Sequence, residues 1–214
     1  MRSYSILDTL PESDYDNITK IAAEICGTPI SLISLIDDKR QWFKSHHGLD
    51  ATETPKEYAF CGHAINTPND VFIVQDARKD ERFHDNPLVT GDPHVIFYAG
   101  VPLVSEAGLP LGTLCVIDHK PNLLSQSQIS SLSALSNQVI NLLELRKSKQ
   151  QLERTIMELE EKNEGLERFA VVAAHDLKTP LINISSLAQL FQNQYKDILD
   201  SDDYWFFRES YRAH

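Results

Sequence analysis

The 214 residues carry 20 Lys and Arg against 31 Asp and Glu, a formal net charge of −11, and are 42% hydrophobic. That apolar fraction supports a core and excludes wholesale disorder. The acidic balance, with no basic cluster to offset it, excludes nucleic-acid binding as the main activity.

The longest apolar runs, such as TPISLISLI, are of strand length, so no membrane span and no membrane partner is expected. No charged-then-apolar leader opens the chain. Cys26, Cys61 and Cys115 are odd in number and lack C-x-x-C spacing, as expected of reduced, buried thiols in a cytoplasmic protein.

The first helix is expected after TLPE, where Thr9 and Glu12 fit a capping box and Pro11 falls in the first turn. Ile18, Ile21, Ala22 and Ile25 recur at helical spacing, and Gly27 stops the pattern. PISLISLID (29–37) and QWFKSHHG are β-rich runs separated by a turn at Asp37-Asp38. Further strands are expected at VFIVQDA (71–77), FYAGVPLV (97–104) and LGTLCVID (111–118), the last two joined by the hairpin signal SEAGLP. The polar stretch RKDERFHDNPLVTGDPHV reads as a loop or short helix over one sheet face. A closing helix begins near Ser125, and the pattern is α+β.

These motifs, with ISLISLIDDKRQWFKSHHGLDATETPKEYAFCGHAI and IVQDARKDERFHDNPLVTG in the same order, resemble a GAF domain of the bacterial signalling type over about residues 5–145. The resemblance implies a six-stranded antiparallel sheet flanked by helices, serving as a small-molecule-sensing or purely structural input domain over residues 1–144. Motifs expected to converge on one sheet face supply the candidate pocket residues. These are Cys61, His63, Asp76, Phe97, Tyr98 and Cys115, with Phe60, Arg82 and Phe83 beside them. Each also has an ordinary structural reading. Gly62 separates Cys61 from His63, unlike the Cys-His pair that anchors bilins in photoreceptor GAF domains, and the Asn-Lys-Phe-Asp-Glu signature of cyclic-nucleotide-binding members is missing. His46, His47 and His63 lack supporting Cys or carboxylate spacing, so no metal is expected. The ligand stays open.

From about Leu132 the chain is rich in strong helix formers, with no proline until Pro180. Leu145, Leu152, Leu159 and Leu166 recur every seven residues. With these at d, Leu142, Lys149, Ile156, Asn163 and Ala170 fall at a, which predicts a parallel homodimeric coiled coil with a signalling helix over 145–168. The alternative is an amphipathic helix packed on its own sheet. The same register places His175 at f, facing solvent.

His175 and Asp176 sit in FAVVAAHDLKTPL, with Lys178 and Thr179 at i+3 and i+4 from the histidine. A neutral imidazole is a nucleophile whose tautomer an adjacent carboxylate can fix. Pro180 cannot donate to the Asp176 carbonyl and is expected to kink the helix. The string resembles the H-box of sensor histidine kinases, in the dimerisation and phosphoacceptor domain. The resemblance implies that His175 is autophosphorylated, that Asp176 is its general base, and that Thr179 helps orient water in phosphatase action on a partner receiver.

Residues 169–214 are accordingly expected to form a truncated helical hairpin, broken at DSDD (200–203), where Asp200 could cap the second helix and Asp203 would favour its N-terminus. No nucleotide-binding boxes follow and no P-loop occurs. The resemblance therefore implies the sensory and phosphoacceptor part of a longer cytoplasmic kinase. ATP and Mg would bind a catalytic domain outside these residues, no cofactor is expected within them, and a response-regulator receiver is the partner. Two competing readings remain. One is a non-catalytic GAF ligand-binding and dimerisation module. The other is a GAF-type reductase of free methionine sulfoxide using Cys61 and Cys115 as a redox pair.

Overall fold

The computed structural model describes residues 4–194. Helix α1 spans Ser13–Cys26 and ends at Gly27, whose φ of 65° is the left-handed conformation that a helix C-terminus favours in glycine. Tyr15, Ile18, Thr19, Ala22, Ala23 and Cys26 form its buried side, whereas Ile21 and Ile25 are exposed. The expected capping box does not form. Glu12 is the N-cap residue, without a side-chain cap, and the Thr9 hydroxyl instead donates to the Ile6 carbonyl at 2.8 Å. The reason is a competing cation. Lys44 Nζ donates to Thr9 Oγ1 at 2.9 Å and to Glu12 Oε1 at 2.6 Å, taking both partners the box would have used.

The sheet comprises β1 (Ile30–Ile36), β2 (Arg40–His47), β3 (Glu53–Pro55), β4 (Phe72–Val74), β5 (Phe97–Val104) and β6 (Pro110–Asp118). Their order is β3-β2-β1-β6-β5-β4, and every pairing is antiparallel. The architecture is the α+β, six-stranded antiparallel arrangement expected. β4 is shorter than the run 71–77, because Asp76 leaves the ladder to cap a 3-10 turn at Ala77–Lys79. Three neighbouring elements carried no sequence expectation: β3, the 3-10 turn at Lys56–Tyr58, and the five-residue helix α2 at Phe60–Ala64. Within the 78–95 stretch a short helix α3 covers Pro87–Thr90, with Asn86 accepting from the Leu88 N–H at 2.9 Å.

Strand alternation divides the core in two. Ile33, Leu35, Trp42, Phe97, Ala99 and Val101 pack against α1 and against the first part of helix α4 (Gln126–Gln194) through Leu132, Val139 and Leu143. Ile30, Leu32, Phe43, Tyr98, Cys115 and Ile117 pack on the opposite face with Phe60, Phe83 and Val95. α4 opens with a reciprocal cap: the Gln128 N–H donates to Ser125 Oγ at 3.3 Å, and the Ser125 N–H donates to Gln128 Oε1 at 2.9 Å.

One compact unit ends at Leu152 and a second begins at Glu153. In the second unit, residues 153–194 are helical and Pro180 lies inside the helix. The expected hairpin break and returning helix, with Asp200 and Asp203, lie outside the described residues. No helix among the described residues is long and apolar enough to cross a membrane.

Candidate functional site

A cavity of about 460 Å³ opens on the face of the sheet away from α1. Its floor is Ile30, Leu32, Tyr98 and Ile117. One wall is the β2–β3 edge, with Gln41, Phe43 and Thr54, and Phe60 of α2 also lines it. Residues 48–51 and the segment carrying Leu88, Asp92, Pro93 and Val95 complete the enclosure, with His119 exposed beside them. Gly48 permits the tight passage at one side. Its φ is +72°, and a Cβ there would meet the Pro29 carbonyl oxygen at 2.0 Å.

Of the sequence-derived candidates, Phe60 and Tyr98 line this cavity. Their rings stack at 5.2 Å, and Phe60 stacks on Phe83 at 4.1 Å. Phe97 lies elsewhere. Consecutive strand residues point to opposite faces, so Phe97 is buried in the α1-side core while Tyr98 faces the cavity. The expected convergence of both on one face is thereby corrected.

Cys61 on α2 and Cys115 on β6 are both wholly buried. Burial pushes both thiols up, Cys115 to about 12, so neither carries thiolate character at neutral pH. They adjoin a buried polar chain in which Tyr98 OH lies 3.2 Å from Thr113 Oγ1, itself 3.0 Å from Ser34 Oγ. Burial also raises the Tyr98 phenol well above its ordinary value.

Asp76 stands apart on an open surface with Lys79, Asp80, Pro121 and Asn122. Its carboxylate accepts from Arg78 at 2.8 and 2.9 Å, which holds it below its ordinary pKa. Arg82 donates to Asp80 at 2.9 and 2.6 Å while its guanidinium covers Phe72 and Phe83 at 4.9 and 5.2 Å. His63 packs edge-on to Phe83 at 4.8 Å, and burial, then the Arg82 charge, lowers its pKa.

Sequence reasoning missed Gln41, Thr54, Asp50, Asp92 and His119 of the cavity. A signal for Gln41 was present: it alternates in phase with Phe43, a polar residue at an inward strand position.

In the second unit His175 and Asp176 are exposed, at 81% and 71% of their side chains, with His175 Nδ1 3.3 Å from Asp176 Oδ1. Ile156, Leu159, Leu166, Leu177 and Ile184 are also exposed there, as is Leu152 at the end of the first unit, although their spacing is that of a buried seam.

The geometry is that of an antiparallel sheet with a cavity on one face, and comparison with known proteins supplies the family. The GAF domain model matches residues 11–143, so the chain belongs to the GAF domain family. A cyclic di-GMP phosphodiesterase of Pseudomonas aeruginosa is 46% identical over 116 residues, which cover 54% of this chain and 20% of that protein. A phytochrome-like protein of Synechocystis is 37% identical over 75 residues, 35% of this chain and 10% of that one. The chain thus spans a fifth or less of the length of these relatives.

Among solved structures, a domain assigned to a two-component sensor histidine kinase protein of Sinorhizobium meliloti superposes with a TM-score of 0.52 at 14% identity, covering 66% of this chain and 97% of that one. A type II free methionine-R-sulfoxide reductase from Thermoplasma acidophilum gives 0.51 at 16% identity, covering 61% and 90%. At such identities the likeness is one of fold.

Proposed function

We propose that this chain is the sensory and phosphoacceptor portion of a cytoplasmic sensor histidine kinase. In this reading the 460 Å³ cavity receives the signal, the helix over 132–170 carries it, and His175 takes the phosphoryl group from ATP held by a separate catalytic domain. The phosphate then passes to the aspartate of a response-regulator receiver.

The observation that carries the reading is the H-box string on an exposed helix surface, with a carboxylate 3.3 Å from the His175 ring nitrogen. Asp176 accepts the Nδ1–H, which leaves the Nε2 lone pair for attack on the γ-phosphorus and balances the charge that develops on the ring. Lys178 and Thr179 follow one turn later on the same side of the helix, where the receiver would dock. The exposed leucines from Leu145 to Leu166 supply the seam of a parallel homodimer, which would bury them against a second copy.

The test is to mix the chain with the soluble ATP-binding domain of a histidine kinase and labelled ATP, then map the phosphate. Acid-labile label on His175, lost in His175→Gln, is expected. Label at another histidine, or none, overturns the assignment.

A further inference from the structure

Residues 4–12 precede α1 and are tied on one side to helix α4 and on the other to strand β2. On the α4 side, Tyr4 OH donates to Glu144 Oε1 at 2.5 Å, and Lys147 Nζ stands 5.3 Å over the Tyr4 ring. Arg146 Nη1 donates to Glu12 Oε1 at 3.0 Å, and its Nη2 donates to the Ser5 carbonyl at 3.3 Å. On the β2 side, Arg40 Nη2 donates to the two Asp8 oxygens at 2.8 and 2.7 Å. Lys44 Nζ donates to Thr9 Oγ1 at 2.9 Å, the Leu10 carbonyl at 2.8 Å and Glu12 Oε1 at 2.6 Å.

The place of these ties matters. Leu143 is the last buried residue of α4 among those described, and Leu145, two residues on, is 65% exposed. The segment therefore grips the helix where it leaves the core. Ser5 and Asp8 have φ of 45° and 58°, the left-handed region that residues other than glycine avoid. Contacts, rather than backbone preference, hold the segment down. One oxygen also serves both sides. Glu12 Oε1 accepts from Lys44 of β2 and from Arg146 of α4, so loosening one bond alters the other. On the opposite side of β2, Gln41 and Phe43 line the cavity.

We propose that residues 4–12 form a regulatory strap, which holds α4 at residues 144–147 and couples it to β2 through the shared carboxylate of Glu12. With the strap closed, the helix leaves the core in one fixed orientation. Letting go of Arg146 frees the turns from Leu142 onward to move, and the output of the helix changes. This assignment rests on the reading above in which α4 carries the signal to His175, and names the contact through which the first unit holds that helix.

Backbone hydrogen exchange of the full chain, read by mass spectrometry, tests the strap. Arg146→Met removes both bonds of that residue to the strap, while methionine keeps the helix propensity and Glu12 keeps Lys44. Amides over 142–150 should then exchange at least about fivefold faster, the scale of one lost charged hydrogen bond at a partly exposed site, with those of 18–26 changed less than about twofold. Lys44→Met, on β2, should speed the amides over 142–150 as well, but should add less than about twofold in the Arg146→Met chain, because the link through Glu12 is already broken. If Lys44→Met fails to fold, Asp8→Asn, at an exposed position of the strap, carries the test with the same expected direction. In the labelling assay above, Arg146→Met should change the rate at which His175 takes phosphate by at least about threefold. Exchange over 142–150 that keeps its original rate in Arg146→Met overturns the inference. Effects of Lys44→Met and Arg146→Met that add in full, or labelling unmoved by Arg146→Met, also overturn it. Exchange needs no phosphoryl transfer. A chain that takes no label at all would fail the reading of His175, and the exchange rates would still decide the strap.

Discussion

Lys44 Nζ lies 2.6 Å from Glu12 Oε1 with its side chain wholly buried, and the same oxygen accepts from Arg146 Nη1 at 3.0 Å. A register shift between Ile33 and Ser34 turns both Lys44 and Ser45 toward α1, where Ser45 Oγ donates to Asp16 Oδ1 at 2.6 Å. One carboxylate therefore ties the sheet, the entry to α1 and the first part of α4 together. Glu12→Ala should leave Lys44 with Thr9 Oγ1, the Leu10 carbonyl and the Tyr15 ring but no counter-charge, costing about 1.5–3 kcal/mol in urea unfolding. Pairing Glu12→Gln with Lys44→Met should cost less than the sum of the two single changes, because the wholly buried ammonium is then removed together with its counter-charge. Strictly additive losses would show that the pair does not act as a unit.

The Tyr4 hydroxyl donates to Glu144 Oε1 at 2.5 Å, and this bond, with Lys147, holds the Glu144 carboxyl below its ordinary value of 4.5. A carboxylate with a depressed native pKa contributes stability that is fully present above the unfolded value and lost as pH falls through the native one. Thermal melts from pH 7 down to pH 3 should therefore show the first unit losing stability below about pH 4.5. Tyr4→Phe should lower stability by about 1 kcal/mol at neutral pH, with the deficit shrinking in acid. An equal deficit at both ends of the range would mean that the tyrosine acts by packing alone.

Gly100 is a matter of space. A Cβ there would lie 2.4 Å from the Tyr98 hydroxyl oxygen and 2.8 Å from two of its ring carbons. Gly100→Ala should displace the ring that floors the cavity and cost about 1–3 kcal/mol, read as a lowered melting midpoint. Gly62→Ala, with nothing within 4 Å of the added carbon, is the matched control and should be neutral or slightly stabilising.

The strands were legible where apolar runs are long. β1, β5 and β6 fall within a residue or so of PISLISLID, FYAGVPLV and LGTLCVID, because a buried strand must be nearly continuous in apolar residues. β3 is three residues of Glu-Thr-Pro at a sheet edge, and α2 contains Gly62, so neither carries a periodic signal. The capping box failed for a different reason: a lysine 32 residues beyond Glu12 took its partners. The cavity was legible only in its aromatic floor. Of its polar wall only Gln41 left a trace, as a polar residue in phase with Phe43, whereas Thr54 lies on the three-residue β3.

On the proposed reading the helix from Leu145 onward is one half of a seam. Leu152 and Leu159 are each 60% exposed in the single chain. Replacing both with Lys would place ammonium groups where the seam must be dry, and light scattering should fall from dimer to monomer mass at micromolar concentration. The first unit should keep its melting midpoint, since neither residue belongs to its core. An unaltered mass would mean that the heptad register is wrong.

On the same proposed reading, the last expectation separates Asp176 from Thr179 by their chemistry. With the ATP-binding domain supplied, Asp176→Asn should slow labelling of His175 by roughly 10²–10⁴-fold, the usual range for a positioned general base. Asparagine keeps the shape and can still bond the ring, but it lacks the negative charge that stabilises the developing imidazolium. Thr179→Ala should leave labelling nearly intact, since the hydroxyl takes no part in attack on ATP. It should instead slow release of phosphate from the receiver's aspartyl phosphate, where a water must be held in line for attack. Phosphorylated receiver mixed with each variant, followed over time, reads the second activity independently of the first. If Thr179→Ala lost both activities equally, the threonine would be holding the helix rather than the water, and its phosphatase role would fall.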